Sequence, residues 1–403
     1  MKKILILPLL LLNSMIWARD WPSWLGPDGT GVSTESGWRN NLEKQAWKTK
    51  VGVGFSSVSV AGGRLYTMGH DGKKSVGKET VYCIDAKTGK TAWTHSYPAP
   101  LLDYLHEGGP CSTPTVEDST VFALSKDGIL HAYRAKDGEI LWKKEMMKES
   151  GMKKPPDWGF SASPYLLGDL LLIEAGATFA LDKKTGETKW KSQTYRAAYG
   201  SPTSFKSGKS DLIAVLKTDG LVILDATSGK TLAFEKWETS YRTNATTPIV
   251  RGDKIFISTG YKRGCALFQY KNGKLTKLYE NRNLSTHMNN AIPVGDFLYG
   301  FDGNVHMAGP KDFVCIRFST GELQWRQKDG GLMVGSLIVA GDRIIALGQR
   351  GEVAIAPVDP KKFSPLTRDQ VIGGRCWTPP VLANGLLYLR NARGDLVCLE
   401  LSE

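Results

Sequence analysis

One turn, Asp-x-x-Thr-Gly-x-x-x-Trp, recurs along this chain, and its period restricts the fold to a small set. It reads Asp85-Ala-Lys-Thr88-Gly89-Lys-Thr-Ala-Trp93 and returns as Asp182-Lys-Lys-Thr185-Gly186-Glu-Thr-Lys-Trp190. Weaker copies end at Trp142 and Trp325, and degenerate ones sit at Ser228-Gly229-Lys230 and Asn272-Gly273-Lys274. The turn glycines at 89, 138, 186, 229, 273 and 321 lie 43 to 49 residues apart. A period of about 40–50 residues with four short strands per unit marks a β-propeller blade.

A second marker runs in step with the first. Thr113-Pro114, Ser163-Pro164, Ser201-Pro202, Thr247-Pro248 and Thr378-Pro379 open units, with Ile292-Pro293 and Ser336-Leu337 as relatives. After each comes a short apolar run, a Gly-Asp-like turn and a second apolar run, as in Pro248-Ile-Val-Arg-Gly252-Asp253-Lys-Ile-Phe-Ile-Ser. That pattern reads as innermost strand, tight turn, second strand. A third strand then leads to the Thr-Gly turn, and the fourth carries the Trp. The glycine supplies positive φ, and the Trp is an apolar plate suited to packing between neighbouring blades.

Openings near Ser57, Pro114, Pro164, Pro202, Pro248, Pro293, Leu337 and Pro379 count eight blades, the last with only three strands before Glu403. The orphan segment Gln45-Ala-Trp47-Lys-Thr-Lys50 predicts its missing outer strand. The expected fold is therefore all-β: an eight-bladed propeller of four-stranded antiparallel blades, its ring closed by an N-terminal strand, which removes exposed sheet edges. The expected organisation is a signal peptide over 1–18, an irregular arm over 19–44 and the propeller over 45–403. Met1-Lys2-Lys3, the apolar run Ile4–Leu12 and Ala18 form the leader pattern, with cleavage expected after Ala18. The apolar run is too short to span a bilayer. No Cys lies near the cut, so the expectation is an unlipidated periplasmic or secreted protein with no transmembrane segment in the mature chain.

The net charge of +12 is spread over turns, which reads as a solvated basic surface and gives no clear nucleic-acid site. Cys83, Cys315 and Cys398 share one third-strand position and read as small core residues. Cys111 and Cys376 each precede a Thr-Pro opening, and their pairing would need close approach near the axis. None has Cys-x-x-Cys spacing.

Two loop sets share one face of the ring: the links between blades and the turns between second and third strands. Together they concentrate His, aromatic, Asn and Arg residues, whereas the opposite face offers Lys, Thr and Gly turns. The candidate ligand-binding residues at this channel mouth are His70, His106, Glu107, Trp158, Tyr199, Tyr241, Arg242, Asn244, His287, Asn289, Asn290, Asp302, Arg375 and Trp377. Binding groups are commonly placed on such loops, and the expected partner is a protein or small molecule at the mouth. The competing reading is a channel plug whose residues hydrogen-bond one another. His106 and His287 are acid/base or metal candidates, and a cluster of His70, His106 and His287 would favour metal chemistry. Glu107 and Asp302 would form the carboxylate pair if the chain were a glycosidase.

The Thr-Gly-x-x-x-Trp turns at 88–93, 185–190 and 320–325, with the Thr/Ser-Pro openings, resemble the pyrroloquinoline-quinone-like β-propeller family across almost the whole chain. The start Trp21-Pro-Ser-Trp24-Leu-Gly-Pro27 and the stretch Cys376-Trp-Thr-Pro-Pro-Val-Leu-Ala-Asn384-Gly are similar to secreted bacterial members. The resemblance implies one of two roles. One branch is a cofactor-free scaffold of outer-membrane protein assembly, and this chain is expected to be a binding or assembly scaffold of that kind. The other branch comprises quinoprotein dehydrogenases that oxidise alcohols or sugars with pyrroloquinoline quinone (PQQ) and calcium. On that alternative Glu107, Asn289 and Asp302 are the candidate calcium oxygens, and Trp158 or Trp377 the stacking plate. Many members of that branch carry a vicinal cysteine pair, which this chain lacks.

Overall fold

The repeat turn folds as its residues require. The Asp85 carboxylate accepts from both the backbone N–H and the hydroxyl of Thr88, at 2.9 and 2.8 Å. The chain then reverses through a turn that returns it as the outer strand. The computed structural model describes residues 19–104, 106–309, 311–328 and 330–402. The leader expected over 1–18 lies outside the described residues.

Blade one consists of Ser59–Ala61, Arg64–His70, Lys78–Asp85 and Thr91–Pro98, hydrogen-bonded in that order. The same meander repeats over 115–145, 165–191, 203–236, 249–281, 292–327 and 336–370, giving blades two to seven. Blade eight has Val381–Ala383, Leu386–Arg390 and Asp395–Glu400, and takes its outer strand from Gln45–Lys50. Trp47 there lies opposite Cys398 in an antiparallel register. The molecule is thus an eight-bladed propeller closed by the N-terminal strand that the sequence predicts.

The outer strands explain the Trp. All but that of blade seven carry a register shift beside the Trp position: between Cys83/Ile84 against Trp93, Ala180/Leu181 against Trp190 and Cys315/Ile316 against Trp325, for example. A bulge re-aims the following side chain, and here it points the indole at the next blade. Trp47, Trp93, Trp142, Trp190 and Trp325 each donate their indole N–H to a backbone carbonyl of that blade, at 2.9–3.2 Å. For all of these but Trp325 the same ring lies on the next blade's turn glycine: a Cβ at Gly138 would sit 2.6 Å from Trp93. Blade four has Ala233 where the Trp would stand, and Gly273 of blade five correspondingly has nothing near it. Blade seven has neither the Trp nor the shift. Beneath the indoles, Cys83, Cys315 and Cys398 are buried opposite Tyr66, Tyr299 and Tyr388. All six cysteines are free thiols.

The Ser/Thr-Pro openings form a belt around the axis. Backbone N–H groups of Ser57, Thr113, Ser163 and Ser201 donate to the hydroxyls of Thr113, Ser163, Ser201 and Thr247 on the following blade, at 2.9–3.3 Å. Asn290 continues the belt, accepting from the N–H of Thr247 at 3.1 Å and donating to its carbonyl at 2.7 Å. Arg390, fully buried, ties blade eight to blade one through the carbonyls of Ser56 and Met68 and the hydroxyl of Thr67.

The arm crosses the ring on the face of the first-to-second-strand turns. Trp21 pairs with Val60 of blade one, and the Pro22 carbonyl accepts from Val116 N–H of blade two. Val32–Ser33 adds a short parallel strand to Val339–Ala340 of blade seven. The buried Glu35 carboxylate takes the N–H groups of Asn384 and Gly385 in blade eight. No helix among the described residues is long and apolar enough to cross a membrane.

Candidate functional site

The links between blades converge on the channel mouth, and the arm closes the other end. Between them lies a cavity of about 150 Å³. Trp24 of the arm borders both this cavity and the groove beyond it, and its indole N–H donates to Thr247 Oγ1 at 3.2 Å. The channel is therefore blind, with Trp24 as its floor.

The walls are rings. Phe55 stacks on Trp377 with centroids 5.1 Å apart and meets His106 edge-on at 5.2 Å. His106 lies 5.2 Å from Trp158, which is capped by the exposed Tyr104 at 5.9 Å. Across the cavity Tyr261 and His306 each lie 5.0 Å from His287. Burial, reinforced by the charges of Lys126 and Arg375, pulls the His106 pKa down to about 4. Burial and then His306 pull that of His287 down to about 3. Burial also lowers that of His306. At neutral pH the mouth presents uncharged imidazoles, donors and acceptors rather than cations.

Of the residues singled out from sequence, His106, Trp158, Tyr199, His287, Asn289 and Trp377 line this cavity. The others lie elsewhere. His70 is buried between the Ala99 carbonyl and the Gly72 N–H. Asn244 is buried, donating to the carbonyls of Lys217 and Trp237, and Asn290 sits in the belt. Glu107 and Arg375 form an ion pair at 3.3 Å, with poor hydrogen-bond alignment, and the Arg375 guanidinium lies 4.5 Å over Trp377. Asp302 accepts from Ser285 N–H and from Arg326, at 2.7 and 2.6 Å. Tyr241 is exposed on the rim, 4.6 Å from Tyr261, and Arg242 beside it is exposed.

Sequence reasoning missed Phe55, Trp24, Tyr261 and His306. Tyr261 belongs to a second-to-third-strand turn of blade five, a loop class already recognised as facing the mouth. His306 lies in the unusually long connection between Asp302 and Asp312, and that length was the available signal. Phe55 and Trp24 precede the repeats, where no periodicity reports on position.

A family model described as "Outer membrane protein assembly factor BamB" matches residues 32–153 and 77–327. The chain belongs to this family. Outer membrane protein assembly factor BamB of Escherichia coli (strain K12) is 23% identical over 330 residues, 77% of this chain and 78% of that one. The crystal structure of BamB from Moraxella catarrhalis superposes with a TM-score of 0.61 at 19% identity, covering 88% of this chain and 97% of that one. The fold is also shared with quinohemoprotein alcohol dehydrogenase from Comamonas testosteroni, at a TM-score of 0.64, 12% identity, and coverage of 95% and 81%.

The dehydrogenase likeness raises whether this BamB-family mouth fits PQQ and calcium. It does not. The cavity falls below the roughly 300 Å³ at which pockets for larger organic ligands begin. Of Glu107, Asn289 and Asp302, only Asn289 lines it, and Arg375 and Arg326 already pair the two carboxylates. Among the described residues no group of three or more His, Cys, Asp or Glu side chains is placed to hold a metal ion.

Proposed function

We propose that this protein is a periplasmic scaffold of outer-membrane protein assembly, which docks protein partners and performs no chemistry of its own. The family match over residues 32–327 carries this reading. Two features support it. The carboxylates near the mouth are held by arginines, so they are not poised as acids, bases or metal ligands. The rim also presents Tyr104 and Tyr241, which are 73% and 60% exposed beside the half-buried rings of Trp158 and Tyr261. Exposed tyrosines with an apolar body and a polar tip suit protein contact.

Deleting the gene in its own host and quantifying outer-membrane β-barrel proteins by mass spectrometry tests the role. The expected result is a several-fold fall in their abundance, restored by the intact gene. Unchanged levels with normal growth of the deletion strain would remove the assembly role.

A further inference from the structure

The net charge is distributed unevenly over the ring. On the mouth face, the connections of blades five to eight are 260–263, 282–291, 303–311, 328–335, 348–351, 371–380 and 391–394, each link counted with the blade it leaves. They hold eight basic residues against one acidic residue, Asp329. The corresponding connections of blades one to four, from 71–77 to 237–248, hold nine against eight. On the opposite face of blades five to eight, the turns hold two basic residues against five acidic ones. The excess positive charge in the connections of this half of the ring is thus gathered on the mouth face.

Lys262, Arg282, Arg350 and Arg393 are exposed there, and Lys311 is half-buried. None of these five has an acidic partner among the described residues, whereas Arg263 and Arg375 pair with Glu280 and Glu107. They are set out one or two to a blade, and none lines the mouth cavity. They form a spread surface rather than a converging site. Among the described residues this half of the face exposes no large hydrophobic side chain; Val76, Tyr104 and Tyr241 all belong to the connections of blades one to four. The core of a protein interface is poor in charge, Lys above all, and rich in aromatic residues. The basic half has the opposite composition. A leaflet of anionic lipids needs no apolar anchor, since its surface potential attracts Lys and Arg directly, by about fivefold in affinity for each residue near the surface.

We infer that the mouth-face connections of blades five to eight dock on an anionic bilayer surface, with Lys262, Arg282, Lys311, Arg350 and Arg393 against the lipid headgroups. The acidic turns of the same blades then face away from the bilayer. Tyr104, on the other half of the face, is left to a protein partner. The docking does not rest on the assembly role, because the segregation of charge is the same whatever the ring carries.

Co-sedimentation of the full chain with vesicles tests the inference. Vesicles of phosphatidylglycerol and phosphatidylcholine in equal parts are compared with vesicles of phosphatidylcholine alone, at low ionic strength and at about 1 M salt, where the Debye length is about 3 Å. The chain is expected to sediment with the anionic vesicles at low salt only, and with the neutral vesicles in neither condition. Joint substitution of Lys262→Gln, Arg282→Gln, Arg350→Gln and Arg393→Gln is expected to weaken binding by about a hundredfold or more. Each single substitution is expected to cost about fivefold, so that a folded single variant, verified by circular dichroism, also decides. The control removes the same charge from exposed lysines of the opposite face, by Lys87→Gln, Lys136→Gln, Lys184→Gln and Lys230→Gln, and is expected to bind as the parent does. Absence of sedimentation with the anionic vesicles, equal sedimentation with the neutral ones, persistence at high salt, or equal losses in the two quadruple variants would overturn the docking. Binding of a duplex DNA probe that the first variant loses, without vesicle binding, would assign the basic half to nucleic acid instead.

Discussion

At the residue scale, the repeat is a lock whose two halves lie on different blades. The indole of one blade covers the turn glycine of the next, so the glycine is needed for space as well as for its dihedral. Gly138 has φ 77° and Gly273 φ 78°, but only Gly138 has a Trp against it. Both alanine variants incur the left-handed cost of about 1–2 kcal/mol. Gly138→Ala also drives a methyl into Trp93, and overpacking adds about 1–3 kcal/mol. Urea unfolding should therefore show Gly138→Ala the more destabilised of the two, and equal losses would show that the stacking is not under tension. The motif's existence was legible in sequence. The second function of its glycine was not, because the contact joins residues about one repeat apart. The hydroxyl belt stayed hidden for the same reason, and Asn290, which looked like a binding residue, belongs to it.

Glu79 makes a second residue-scale case. It is fully buried, one oxygen accepting from Tyr97 and Lys126 N–H and the other unpartnered. Burial, and then the Asp127 carboxylate, raise its pKa from 4.5 to about 7. The folded state therefore holds this proton more tightly than the unfolded one. The resulting stability is full below pH 4.5 and is lost as pH rises through about 7. Glu79→Gln, which keeps the acceptor and removes the charge, should flatten that part of the pH profile and raise the melting temperature at pH 8. A Gln variant less stable than the parent at pH 8 would show that the carboxylate is accommodated as a charge.

At the element scale, the closing strand was readable because Gln45–Lys50 repeats the outer-strand pattern without a blade. The arm before it was not, since its course depends on contacts with five blades that no local pattern encodes. Glu35 is its anchor, accepting two backbone N–H groups at the Asn384–Gly385 turn, where Asn384 has φ 58°. Glu35→Ala leaves both donors without that partner, at about 1–3 kcal/mol for each buried group orphaned. Thermal unfolding should shift downward accordingly, with Glu35→Gln between the two because one acceptor survives. Faster proteolysis of the arm in Glu35→Ala than in the parent, with the blades still resistant, would assign the loss to the arm rather than to the ring.

At the scale of the whole molecule, ring closure and arm placement together decide what the channel can hold. A propeller with an open axis and free carboxylates at its mouth would suit a large planar cofactor. Here the arm inserts Trp24 from one end, the inter-blade links fill the other with rings, and arginines occupy Glu107 and Asp302. Six of the residues singled out from sequence line the cavity, yet sequence could not distinguish a pocket from a plug, because that depends on how far each side chain reaches toward the axis. The outcome lies between the two: a small lined cavity. Trp24, Trp158 and Trp377 all border it, so a quinone entering would quench their fluorescence. Titration of the full chain with PQQ, with and without calcium, should give no saturable quenching. Saturable calcium-dependent quenching, abolished by Glu107→Ala, would mean that the Glu107–Arg375 pair opens and that the links rearrange on binding. The dehydrogenase fold likeness would then extend to chemistry, and a dye-linked screen of alcohols and sugars would follow.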